Sequence, residues 1–389
     1  MDYVDEELKN TTEQVLEKQS YQGTVKQIVS ELASEFVGRE EEAMVAVLGV
    51  ITRNHVVLIG EPGTAKSALL RSLSERIGGN YYYYLMSKYT IPDELVGPID
   101  PIAYKAGKFQ RIVSHWLPTA HIAFIDEVFK GSSQTLNTLL NVMNERKFVD
   151  IDGTEHAIPL ISMFAASNEL PQGEELQAFY DRILIKHFVQ PVAPDKVKAG
   201  ILLNMSRART PRTRITLEEL DKVYAEIREY ADAHKESIAG IVSTIVTTMR
   251  VNGIFVSDRT AMGAGYLPFL VAAHSWLTGM NVKRAAMEVS KYIIQDNDEQ
   301  LNALHKSLQS IYPQELSETM TRIEKLDDLI KAGNLGDAEK TAMEALSITQ
   351  QLVNKENMMD LYQDEINEAL ASIKARLQKI LDAKKLIQG

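Results

Sequence analysis

The chain has 389 residues, no cysteine, and 53 acidic against 42 basic side chains, for a net charge of −11. That length allows more than one domain, the missing thiols exclude disulfides and thiolate metal sites, and the acidic balance argues against a general affinity for nucleic acid. No apolar run approaches the roughly 20 residues that span a bilayer, and acidic Met1-Asp2-Tyr3-Val4-Asp5-Glu6-Glu7 lacks the features of a signal peptide, so a soluble, cytoplasmic protein with no membrane span is expected.

Residues 1–35 read as a polar, amphipathic helical segment. Phe36-Val37-Gly38-Arg39-Glu40 breaks it, and a helix follows to about Thr52. The apolar run Val56-Val57-Leu58-Ile59 then predicts a strand, and Ala68-Leu69-Leu70-Arg71-Ser72-Leu73 a helix. Between them lies Gly60-Glu61-Pro62-Gly63-Thr64-Ala65-Lys66-Ser67. Strand, glycine-bearing turn, lysine, hydroxyl and helix make a cradle for nucleotide phosphates, with backbone N–H groups and the helix N-terminus supplying positive charge. The strict pattern has glycine before the lysine. Here Ala65 opens the helix, where an ordinary φ is expected to suffice.

Tyr81-Tyr82-Tyr83-Tyr84-Leu85 predicts a strand with alternate rings buried. Residues 90–118 are rich in proline and glycine and read mostly as turn and loop. His121-Ile122-Ala123-Phe124-Ile125-Asp126-Glu127 is a second apolar strand ending in two carboxylates, and a helix follows over about Ser133–Glu145. Asp152-Gly153 has hairpin chemistry. The run from Leu160 to Asn168 is a third buried strand with a polar end, and Ile183–Ile185 with Phe188-Val189 suggests another. Strands alternating with helices predict a three-layer α/β core with a parallel sheet over 36–195. Helical patterns then predict an all-α lid over 196–300 and a C-terminal helical domain over 301–389. In the last, Leu316, Met320, Ile323, Leu326 and Ile330, and Ile366, Leu370, Ile373, Leu377 and Ile380, form apolar seams. They predict a helical hairpin or coiled coil, packed on itself or docked on a partner.

Parallel sheets gather chemistry at the carboxyl ends of their strands. Three apolar strands here end in the phosphate loop, in Asp126-Glu127 and in Asn168. Hydrolysis of a nucleoside triphosphate needs a metal, a phosphate cradle and an oriented water. Lys66 is placed to reach the β- and γ-phosphates, Ser67 and Asp126 to hold Mg²⁺, Glu127 to polarise the attacking water and Asn168 to position it.

These residues resemble the MoxR group of AAA+ ATPases, most closely its RavA-like branch. The segments that carry the resemblance are Gly60–Ser67, Pro92–Pro98, Ile125-Asp126-Glu127, Leu136–Arg146, Ala165–Pro171, Tyr180-Asp181-Arg182 and Val256-Ser257-Asp258-Arg259. Together they cover about 35–300, and 301–389 lie outside. In that family alanine before the lysine is common. The resemblance implies Walker A function for Lys66 and Ser67, Walker B for Asp126 and Glu127, and sensor 1 for Asn168. It implies an arginine finger at Arg182 and sensor 2 at Arg259, each with a structural ion pair as its other reading. Val37-Gly38-Arg39-Glu40 resembles the stretch lining the adenine pocket, with Val37 and Gly38 as its binding residues and a plain loop before a helix as its other reading. Implied with these are ATP and Mg²⁺, a ring that is a homo-hexamer, a client protein to be remodelled or assembled, and a von Willebrand factor A domain partner.

Two other classes compete. A nucleic-acid-translocating motor draws on Arg207, Arg209, Arg212 and Arg214, but no aromatic residues are interleaved with them. A small-molecule kinase or GTPase is opposed by the Asp-Glu pair, Asn168 and the helical lid.

Overall fold

The computed structural model describes residues 21–108, 110–150, 153–206, 212–263, 265–294, 314–354 and 356–388. Two compact units are formed, Met1–Leu301 and Asn302–Gly389.

The first unit is built on five strands: β1 (Val56–Ile59), β2 (Tyr81–Leu85), β3 (Ile122–Asp126), β6 (Ser162–Ser167) and β7 (Ile185–Phe188). Their order is β2-β3-β6-β1-β7, with every pairing parallel. β1 and β6 are buried at every position, which is why they read as unbroken apolar runs. β2 pairs only with β3 and alternates. The Tyr82 and Tyr84 rings stack on one face, 6.4 Å apart, while Tyr83 leans on Phe124 from the other. The tyrosine run is therefore sheet packing. A small hairpin of β4 (Lys147–Val149) and β5 (Glu155–Ala157) stands apart. Gly153 takes a positive φ in its turn, and Asp152 lies outside the described residues.

Helices cover the sheet. α1 (within 21–35) is followed by α2 (Glu40–Ile51), α3 (Lys66–Ser74) and the short α4 (Asp93–Val96) and α5 (Pro101–Lys105). These last two add local order to the predicted loop. α6 (Ser133–Glu145) starts where the sequence placed it, capped by Ser132 accepting from the Thr135 N–H. α7 (Glu174–Tyr180) leads into β7, and α8 (Pro194–Ser206) leaves the sheet. Arg76 is wholly buried and bolts α1 to the core through Glu35, at 3.1 Å, and Glu31, at 3.7 Å.

The all-α part comprises α9 (Leu217–Ala233), α10 (Lys235–Val251), α11 (Asp258–Met262), α12 (Leu267–Thr278) and α13 (Val282–Ser290). α9 opens on a capping box between Thr216 and Glu219. α12 is buried along almost its whole length and forms the centre. After α13, Tyr292 sets its ring edge-on to His187 of β7 and donates to Glu41 of α2 at 3.2 Å, while Lys291 pairs with Glu41 at 2.6 Å. Burial and Glu41 push the Tyr292 phenol well above its usual range.

In the second unit the described residues form the helices Gln314–Lys331, Leu335–Val353 and Glu356–Gln388, in keeping with the expected helical C-terminal part. The seam residues Leu326, Ile373 and Ile380 are buried against Ala338, Ala342 and Ala345 of the middle helix, so the unit packs on itself. Among the described residues no helix is long and apolar enough to cross a membrane. Ala342 has no exposed surface, so Ala342→Leu overfills the seam at a cost of about 1–3 kcal/mol. Amide exchange across 335–353 is expected to accelerate accordingly, and an unchanged exchange rate would show that this face does not meet its neighbours.

Candidate functional site

β1 delivers the chain into a loop that only small residues allow. A Cβ on Gly60 would lie 2.5 Å from the Val189 carbonyl oxygen, because Val189 continues alongside β1 and donates to the Ile59 carbonyl at 2.7 Å. Gly63 has φ +81°. Ala65 departs from expectation: its φ is +65° and ψ +13°, in the left-handed region rather than the ordinary one. Turning the peptides at Gly63 and Ala65 makes a concave run of N–H groups of the kind that binds anions. α3 then begins with no side-chain cap, so its first N–H donors are left for such an anion.

Lys66 braces this loop. Its Nζ donates to the carbonyls of Gly60 at 2.8 Å and Glu61 at 2.9 Å, and to Thr64 Oγ1 at 3.1 Å. Burial lowers the ammonium pKa, while Asp126 and Glu127 oppose that effect and Arg39 adds to it.

The sheet register brings the other groups to the same place. Ile59 lies opposite Ser167, and Ser167 in turn accepts from the Gly60 N–H at 2.9 Å. β3 is the next strand beyond β6 and ends at Asp126. A cleft of about 330 Å³ is lined by Gly60, Pro62, Gly63, Thr64, Ala65, Lys66, Ser67, Asp126, Glu127, Ser167 and Asn168. Asp126 Oδ1 accepts from the Glu127 N–H at 3.0 Å. Glu127, at φ +54°, heads a 3₁₀ turn over Val128–Lys130. Its Oε2 is buried and accepts no hydrogen bond, although the exposed Lys130 ammonium stands 3.3 Å away.

The donor set suits Mg²⁺ bound together with phosphate: one carboxylate, Asp126, and one hydroxyl, Ser67, face an uncapped helix start. Among the described residues no group of three or more His, Asp or Glu is arranged to hold a metal. A divalent ion here would therefore take most of its ligands from phosphate and water, as Mg²⁺ does.

Other predicted residues stand outside the cleft lining. Arg182 follows α7 and donates back to the Ala178 carbonyl at 2.8 Å. Arg259 is exposed in the first turn of α11, where Ser257 caps the Thr260 N–H. Gly38, at φ +78°, packs against Val192 and Lys196, and Val37 faces Gly200. That segment thus meets the chain that leaves β7 and enters α8. Arg212 is held by Glu35, at 2.8 Å, and by Glu75, which makes it a structural cation. Arg207 and Arg209 lie outside the described residues. Two residues inside segments singled out in the sequence were given no individual role there: Ser167, which register places in the cleft, and Arg39, which is buried and donates to the Gln190 carbonyl at 2.5 Å.

Residues 23–225 match the family model described as the MoxR domain in MoxR-vWA-β-propeller ternary systems. That description names this system rather than a RavA-like branch. An uncharacterised protein of Methanocaldococcus jannaschii is 40% identical over 238 residues, which are 60% of this chain and 61% of that protein. A second from the same organism is 38% identical over 60% and 62% of the two chains, so the match spans about three fifths of each relative. Chaperone MoxR1 of Mycobacterium tuberculosis is 23% identical over 44% of this chain and 46% of its own. A crystal structure from Cytophaga hutchinsonii, described as a candidate ATPase, superposes with a TM-score of 0.63 at 18% identity. It covers 78% of this chain and 98% of that one and shares the fold.

The left-handed alanine is directly testable. Ala65→Gly removes a steric cost of about 1 kcal/mol and is expected to raise the urea midpoint at unchanged m-value; a lower midpoint would contradict the left-handed φ. With strand, cradle and paired carboxylates converging in one cleft, and with more than half of the sequence matching one family model, the chain belongs to the MoxR family of AAA+ ATPases.

Proposed function

We propose that the protein hydrolyses ATP with Mg²⁺ as a ring, a homo-hexamer, and uses the cycle to remodel a client protein or to assist the assembly or maturation of a protein complex. One observation carries this reading: Lys66, Ser67, Asp126, Glu127 and Asn168 line one cleft, and Arg182 and Arg259 do not. Arginines outside their own subunit's cleft are available to a neighbour's. A MoxR-vWA system in the family model's description supports a von Willebrand factor A domain protein as partner.

The chain's own groups divide the work. N–H donors of the loop and of the start of α3 take the phosphates, and Lys66 exchanges the Gly60 and Glu61 carbonyls for phosphate oxygens. Ser67 and Asp126 would hold Mg²⁺, which when bound supplies positive charge against the β- and γ-phosphate oxygens. Glu127 Oε2 has only the exposed Lys130 ammonium beside it, at 3.3 Å, and a carboxylate oxygen has capacity to accept from a water as well and orient it. Asn168, on the adjacent strand end, fixes the same water from a second side. Val37 and Gly38 flank the base. Arg182 completes the neighbouring site as a finger and Arg259 acts as sensor 2.

Glu127→Gln is expected to keep ATP affinity within about twofold and to lower phosphate release by ~10² or more; release at the parental rate would remove Glu127 from the mechanism. Lys66→Ala should instead weaken nucleotide binding in the same titration. If the finger acts between subunits, specific activity rises with protein concentration in step with ring mass measured by light scattering. Full turnover by a monomer would reject the ring, since a finger contributes ~10³–10⁵ in rate.

A further inference from the structure

Lys186 lies in β7 with 3% of its surface exposed. Its Nζ donates to the Ile183 carbonyl at 2.6 Å and sits 5.0 Å from the centroid of the Tyr180 ring. Among the described residues it forms no ion pair. Asp181 supplies only a longer-range field, which opposes the effect of burial; burial brings the ammonium pKa down to about 8. Burying an unpaired cation is costly, and methionine would fill the same space at no such cost. The carbonyl it holds belongs to the residue immediately after Arg182.

We propose that Lys186 is the positioning residue for Arg182, clamping the turn after α7 from which the guanidinium reaches back to the Ala178 carbonyl. This rests on the reading of Arg182 as a finger. The turn is tight: the Arg182 N–H donates to Phe179 O and the Ile183 N–H to Tyr180 O, each at 3.1 Å. Lys186 closes it from the sheet side. Phe129 packs on the residue that opens it, meeting the Tyr180 ring edge-on at 5.9 Å. Phe129 belongs to the 3₁₀ turn headed by Glu127, so one clamp spans from the water-orienting carboxylate to the arginine. A finger acts through a long side chain, and a displacement of about 1 Å costs on the order of 10²-fold in rate.

The test uses full-length protein assembled as it works. Lys186→Met is expected to lower kcat tenfold or more, with KM for ATP and nucleotide affinity within twofold and Tm no lower than the parent. Lys186→Gln keeps a donor and recovers part of kcat; should the Met variant fail to fold, the Gln variant is read in its place against the same criteria. Mixing either with Lys66→Ala subunits, which keep an intact Arg182, restores activity. A kcat within twofold of the parent, a loss that follows ATP affinity, or no gain on mixing overturns the proposal. Arg182→Ala, measured in parallel, separates the two readings. If it is fully active, the finger assignment fails. If it is impaired while Lys186→Met is not, only the clamp fails.

Discussion

β1 pairs with β6 on one side and with β7 on the other, both in parallel, and the site depends on that double pairing. Parallel neighbours point the same way, so their carboxyl ends share one edge and their connections must cross over on helices. Ile59 therefore ends beside Ser167 and Phe188 together. The loop at Gly60 starts between two strand ends, and β3 adds the third. Register tolerates no slip here, because a shift by one residue turns every side chain to the opposite face.

The parts of this arrangement that rest on burial were legible in the sequence. β1, β3 and β6 are apolar runs with polar ends, and α6 has its cap in place. What sequence reading missed rests on relations that local pattern does not encode. The conformation of Ala65 follows from where its neighbours' N–H groups must point, not from its own propensity. The middle C-terminal helix is weakly marked, because three of its five buried residues are alanines, Ala338, Ala342 and Ala345, and a fourth is Thr349. Arg212 looked like part of a basic patch because its partners, Glu35 and Glu75, lie far away in sequence. The segments holding Arg39 and Ser167 were legible, but the burial of the one and the strand register of the other are tertiary.

α2 joins the phosphate-binding part to the helical part through consecutive residues. Glu41 takes Lys291 and Tyr292, and Glu42 faces Arg39 and His187. Arg53 and Asn54, just beyond the same helix, reach Asp221 and the Gly265 carbonyl. Arg39, Glu42, His187, Asn54 and Tyr292 are buried within this seam, where a lost partner is not replaced from solvent, whereas the Glu41–Lys291 and Arg53–Asp221 pairs are partly exposed.

Among the described residues, five other than glycine hold a positive φ: Arg53, Ala65, His115, Glu127 and Arg146. Glycine would adopt each of these conformations more cheaply. At Glu127 that saving is closed off, because glycine has no carboxylate to offer the cleft. At Ala65 a single methyl group is all that separates the residue from the cheaper choice. Strain therefore measures different things at the two positions: at Glu127, how much information the side chain carries, and at Ala65, how little the loop's geometry depends on the side chain at all.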